Sequence, residues 1–230
     1  MPDAMMIFAA GLGTRMGELT RHRPKPLIEV SGQPLIAHAL ALPRAAGVKT
    51  IVVNIHAHAD QMHAWLGAHA ADCLVSHEKE LLDTGGGLKR AQALLAADTV
   101  FTLNADMVWE GSNPVSDLAR TWAPEEMDAL LCLVPRETAI GHRGTGDFFR
   151  APNGRLSRKG NAPSADFVYA GCQILKLAAL ERCSDGPFSL NRVWDMMLAE
   201  GRLFGMPYHG RWVDVGRPEG ITLAETNGVR

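Results

Sequence analysis

The sequence predicts an α/β fold: a Rossmann-like, mostly parallel mixed sheet flanked by helices. Three observations predict it. Short apolar runs of strand length alternate with helical stretches through the first half, a glycine-rich turn follows the first run directly, and the rhythm changes after Trp122 to strands and a hairpin. In order, MMIF has the length and flanks of a buried strand. A helix from about Pro34 to Ala46, the run TIVVN, a helix around Ala59 to His69 and the run CLVSH then make a βαβαβ unit. A helix near Leu88 to Leu95 precedes TVFTLN, and this alternation calls for parallel strands with right-handed crossovers. Beyond Trp122, ALLCLV and FVYAGCQILKL read as strands, and DFFRAPNGRLS places an Asn-Gly turn between two extended runs, a hairpin signal. NRVWDMMLAEG reads as an amphipathic helix ended by Gly201, with Trp194, Met196 and Met197 assigned to the core. GRWVDVG is expected to be the last strand, followed by a short helix from Pro218.

With 230 residues and 47% hydrophobic content, the chain can bury one substantial core, and a single domain over residues 1–230 is expected. A net charge of −2 supplies no basic field for a nucleic acid polymer, so any phosphate binding must be local. Cys73, Cys132, Cys172 and Cys183 form no CxxC pair, which argues for idle or buried thiols over zinc or a redox dithiol. His56, His58 and His63 fall at a strand–helix junction and on the helix after it, where solvated polar residues are normal, so no zinc is assigned there. No apolar stretch approaches the roughly 20 residues of a membrane span, and no leader pattern opens the chain, so a cytoplasmic protein with no membrane partner is expected. Oligomeric state has no signature here, and a monomer suffices.

The stretch AAGLGTRMGELTRHRPKPL, Ala9 to Leu27, carries the chemistry. Gly11 and Gly13 permit positive φ and close backbone approach, so successive N–H groups can converge on phosphate oxygens at the carboxyl end of the first strand. Arg15 adds a planar, permanently charged fork and Lys25 a compact point charge. Pro24 and Pro26 restrict the backbone on both sides of Lys25. Neither a Walker A GK[ST] nor the GxGxxG spacing of dinucleotide folds is present. Further along, Asp106 stands just past the end of a buried strand and Asp214 within an otherwise apolar one, where an unpaired carboxylate would be costly unless it meets a cation.

GLGTRMGELTRHRPKPL resembles the signature GxGTRxxPxTxxxPKPL of the sugar-1-phosphate nucleotidyltransferases, with Glu18 where that signature has proline. LDTGGGLKRA, Leu82 to Ala91, resembles the family's glycine-rich strand-to-helix turn, and NAD with Asp106 resembles its metal-binding NGD, Ala105 replacing the glycine. The resemblance implies a reaction between a nucleoside triphosphate and a sugar 1-phosphate that releases pyrophosphate. It gives Arg15 and Lys25 the catalytic roles, on the β/γ-phosphates and on the α-phosphate with the incoming sugar phosphate. Ala10, Gly11, Gly13, Thr14, Asp83, Gly85 and Gly86 are implied to bind the nucleotide, Gly85 to Gly87 offering bare backbone to flat ligand surfaces. Asn104, Gly146, Asp147, Tyr169 and Gly171 are implied to lie near the sugar. Asp106 and Asp214 are implied to hold Mg²⁺, an oxygen-preferring ion that keeps several waters.

Within that family, the short length, DTGGG, the FVYAG segment and the GRWVDVG ending are most similar to N-acetylmuramate 1-phosphate uridylyltransferases, which implies UTP and cell-wall recycling. Short mannose-1-phosphate guanylyltransferases share most of these motifs and remain the alternative, as do a cytidylyltransferase and a non-catalytic nucleotide-sugar-binding subunit.

Overall fold

The computed structural model describes residues 1–227. Strand β1 (Ala4–Phe8) runs into a 3-10 segment (Thr14–Thr20), a second short 3-10 turn (Lys25–Leu27) and a two-stranded ribbon of β2 (Glu29–Val30) and β3 (Gln33–Pro34). Then come α1 (Leu35–Ala45), β4 (Thr50–Ile55), α2 (Ala59–His69), β5 (Leu74–His77), α3 (Asp83–Leu95) and β6 (Thr99–Asn104). β7 (Met107–Glu110), α4 (Pro114–Thr121), β8 (Ala129–Pro135), β9 (Phe148–Arg150), β10 (Leu156–Arg158) and β11 (Phe167–Lys176) follow. The chain closes with α5 (Leu190–Ala199), β12 (Leu203–Pro207), β13 (Arg211–Asp214) and α6 (Pro218–Thr226).

The main sheet has the order β10-β9-β11-β6-β1-β4-β5, with β8 paired to β11 and β12 to β8. β1 is parallel to both β4 and β6, and β4 to β5, whereas β11 runs antiparallel to β6 and to β8. This is the mixed, mostly parallel sheet the alternation of runs predicts. Because β1 is buried on both faces, its side chains feed two cores: Met5 and Ile7 pack with α1 and α2, and Ala4 and Met6 with α3 and α5. The hairpin read from Asn153-Gly154 is β9–β10, with Gly154 at φ +88°.

One boundary departs from expectation. The segment taken as a turn before a helix at Leu88 is itself helix, since α3 begins at Asp83 and contains Gly85, Gly86 and Gly87. Glycine disfavours helix interiors by roughly 1 kcal/mol per residue, but close packing overrides that preference here. A Cβ on Gly85 would lie 2.3 Å from the Phe188 ring, and one on Gly86 would lie 2.4 Å from the carbonyl oxygen of Gly186. The amides of Gly85 and Gly86 both donate to Phe188 O. Gly86→Ala is therefore expected to cost about 1–3 kcal/mol through overpacking against backbone that cannot yield. At roughly 2–4 °C per kcal/mol for a chain of this size, a thermal melt reads it directly.

Candidate active site

Chain order fixes where a cleft must open. From β1 the chain moves outward to β4 and β5 on one side, then returns to place β6 on the other, so the carboxyl ends of β1 and β6 diverge as a topological switch point. A cavity of about 390 Å³ lies there, lined by Phe8 to Gly11 after β1, Asn104 to Asp106 after β6, Lys25 and Pro26, and Asn54, Glu78, Leu81, Asp83 and Thr84. A second cavity of about 250 Å³ shares Phe8, Asp83, Thr84 and Asn104 with it and extends to Asp147, Phe148, Arg158, Tyr169, Asn191 and Trp194.

The loop after β1 is held by interactions that leave its backbone facing the cleft. Ala9 N donates to Asn54 Oδ1 at 2.7 Å, and Asn54 Nδ2 donates to Glu78 Oε1 at 2.7 Å. Glu78 Oε2 accepts from Leu82 N at 3.0 Å, so one buried carboxylate ties this loop to the start of α3. Asn54 and Glu78 were not singled out in the sequence, although each is a polar residue at the end of an apolar run, the same signal that marks Asp106.

Gly13 sits at φ +64°, and a Cβ there would meet Thr20 Cγ2 at 2.9 Å and Lys25 Cβ at 3.0 Å. Its glycine therefore serves the approach of the PKP segment as well as the turn. Gly11 and Thr14 are exposed. Glu18 pairs with Arg21 at 3.2 Å.

Lys25 is buried, and its ammonium donates to Asp106 Oδ2 at 2.5 Å. Asp106 lies in the turn between β6 and β7, and β7 pairs antiparallel with β13 so that Asp214 is opposite Met107. Val215 N donates to Asp106 O at 3.0 Å, which locks the two acidic segments together. Asp214 Oδ1 accepts from Gly216 N at 2.6 Å. Burial above all, and then the charge of Asp106, push the Asp214 carboxyl above its ordinary range, while Lys25 and Arg15 oppose the shift. Arg15 is exposed and its guanidinium lies beside Gly216, where a Cβ would be 3.3 Å from Nη2. Arg15 is not among the residues lining either cavity.

The remaining predicted residues divide into wall and support. Asp83 and Asn104 line both cavities, while Asp147 and Tyr169 line the second. Gly85 and Gly86 do not line the cleft; their backbones face Phe188 and Gly186. Gly171, at φ +85°, presses against the Asn104 side chain, with a Cβ position 3.0 Å from Nδ2. Gly146, at φ +87°, abuts Ala165 O and precedes Asp147, whose Oδ2 accepts from Tyr169 N at 2.8 Å. Trp194, assigned to the core, is buried there and also lines the second cavity. The cysteines are free, and Cys132, Cys172 and Cys183 are buried.

Two carboxylates and a buried lysine meet at a switch-point cleft, and residues 5–157 match the family described as MobA-like NTP transferase domain. The N-acetylmuramate alpha-1-phosphate uridylyltransferase of Caulobacter vibrioides is 41% identical over 97% of this chain and 96% of its own length. The chain belongs to the sugar-1-phosphate nucleotidyltransferases. A further relative of this transferase, the N-acetylmuramate alpha-1-phosphate uridylyltransferase of Neisseria meningitidis serogroup B, is 30% identical over 92% of each chain. In fold, the transferase matches the crystal structure of HddC from Yersinia pseudotuberculosis with a TM-score of 0.78 at 20% identity, over 97% of this chain and 98% of that one. Among the described residues of the transferase, no helix is long and apolar enough to cross a membrane.

Proposed function

We propose that this enzyme transfers the uridylyl group of UTP to N-acetylmuramate 1-phosphate in the cytoplasm, within one domain. The identity to the Caulobacter enzyme over nearly the whole of both chains carries the choice of substrates. The geometry supports the reaction. A phosphate monoester is already a nucleophile, so its oxygen attacks the α-phosphorus without a general base, and pyrophosphate leaves with the electron pair of the broken bond. The cleft at β1 and β6 takes the nucleotide, with the loop amides from Ala10 to Gly13 toward the phosphates and Asp83 beside the base and ribose. Lys25 offsets charge gathering on the α-phosphate, and Arg15 that on the leaving pyrophosphate. The second cavity takes the sugar, with Asn104, Asp147 and Tyr169 around it.

Asp106 and Asp214 fit Mg²⁺. Both are oxygen donors, each keeps one carboxylate oxygen without a hydrogen bond among the described residues, and burial above all, then the charge of Asp106, raises Asp214. Among the described residues no group of three or more ligating side chains surrounds them, so substrate phosphates and waters would complete the shell of such an ion. Such an ion, when bound, draws negative charge from the reacting phosphates.

The substrate assignment is tested by competing UTP, dTTP, CTP and GTP at equal concentration with N-acetylmuramate 1-phosphate, separating products by mass. UTP is expected to exceed GTP by at least about tenfold in kcat/KM, because a wrong base leaves a buried polar group unpaired at about 1–3 kcal/mol. A dominant GDP-sugar, above all with mannose 1-phosphate, would replace the uridylyl reading with a guanylyl one.

A further inference from the structure

The lining of the second cavity includes one cation, Arg158. Arg158 ends β10, and its guanidinium carbon stands 4.9 Å from the ring centroid of Phe148 and 5.7 Å from that of Trp194. These rings and Tyr169 form one aromatic wall, Tyr169 meeting Trp194 edge-on at 4.8 Å and Phe148 meeting it at 6.0 Å. A guanidinium laid over two rings is restrained in orientation and partly stripped of water, which strengthens its attraction for an anion.

Its donors are unevenly used. Nε and Nη2 share Asp195 Oδ1 at 3.0 and 2.8 Å, and Nη2 also donates to Asn191 O at 3.2 Å. Nη1 makes no hydrogen bond among the described residues. Asp195 does not line the cavity, and its side chain is 63% exposed, so this ion pair contributes little on its own and leaves the opposite edge of the fork available. The lining also holds two acids, Asp83 and Asp147, and neutral groups such as Asn104, Ser189 and Asn191 that suffice for hydroxyls and an amide, and Arg158 is the one cation in it.

We propose that Arg158 selects sugar 1-phosphates bearing a carboxylate on a ring substituent, receiving that carboxylate on Nη1. This rests on the acceptor proposed above: N-acetylmuramate differs from N-acetylglucosamine by a lactyl ether ending in a carboxylate. A charge-assisted bond to an aromatic-backed guanidinium would separate the two.

The test measures kcat/KM with UTP for N-acetylmuramate 1-phosphate and N-acetylglucosamine 1-phosphate, in the wild type, Arg158→Met and Arg158→Lys. Wild type is expected to favour the lactyl sugar, and Arg158→Met to reduce that ratio roughly 10- to 100-fold, with most of the loss on the lactyl sugar. Arg158→Lys, which keeps the charge and loses the fork, should fall between, and it carries the test by itself if the methionine variant does not fold. A purely structural arginine, joining the β9–β10 hairpin to α5, would lower both activities equally; an unchanged ratio in the variants would overturn the proposal and leave the substrate reading standing. A wild type that favours the neutral sugar would overturn both.

Discussion

Lys25→Met is expected to lower kcat by about 10²–10³-fold, the usual scale for removing one preorganised charge from a developing anion. The ammonium is held by a stiff Pro24-Lys25-Pro26 frame, by the close pass of Gly13 over its Cβ and by Asp106 at 2.5 Å. Binding of UTP in the absence of the sugar phosphate should weaken much less than turnover, because charge on the α-phosphate grows only as the bond changes. Circular dichroism and the melting temperature separate a folding defect from a chemical one. Wild-type turnover in the variant would remove Lys25 from the reaction and leave it a buried ion-pair partner of Asp106.

The second large effect belongs to the acidic pair. Asp106→Asn and Asp214→Asn should each raise the Mg²⁺ concentration needed for half-maximal activity, since an amide ligand brings no negative charge to the ion. In the proposed site both carboxylates hold one ion, so the double variant should be little worse than the more damaged single one. Asp106→Asn also strips Lys25 of its ion-pair partner, and its defect is therefore expected to exceed that of Asp214→Asn. Effects that multiply would assign the carboxylates to separate tasks. Undiminished turnover in EDTA would take the metal out of the reaction.

What could be read in the sequence follows from how each element signals itself. β1, β4, β5 and β6 are apolar runs bounded by polar residues, and α1, α2 and α5 carry a helical period, so period alone identifies them. β12 went unread because LFGMP is interrupted by glycine and ends on proline, and β7 because a four-residue strand directly after a turn has too little pattern. α4, eight residues with Pro114 at its start, was missed for the same shortage of length. α3 was shortened because glycines argue against helix locally, while the contact with residues 186–188 that decides the matter is distant in sequence. In the site, Lys25, Asp106 and Asp214 stood out through a motif and through charge set in apolar surroundings. Asn54, Glu78 and Arg158 did not, because a polar residue at a strand end looks the same whether it faces solvent, a core network or a cavity.

The small ribbon of β7 and β13 decides where the second acid stands. Its partners lie far apart in the chain, Arg211 and Glu110 being 101 positions apart where they pair. The strand carrying Asp214 also lies beyond residues 5–157, the portion that matches the family. Asp214 is therefore brought beside Asp106 only by a pairing between segments that are distant in the sequence. Because strand side chains alternate, β13 must dock in one register only: an offset of a single residue would turn Asp214 to the opposite face and bring Val213 or Val215 to its place beside Asp106. The placement of the second acid thus depends on the register of one short long-range ribbon, and a substitution that shifts β13 would be felt at the cleft without touching any residue that lines it.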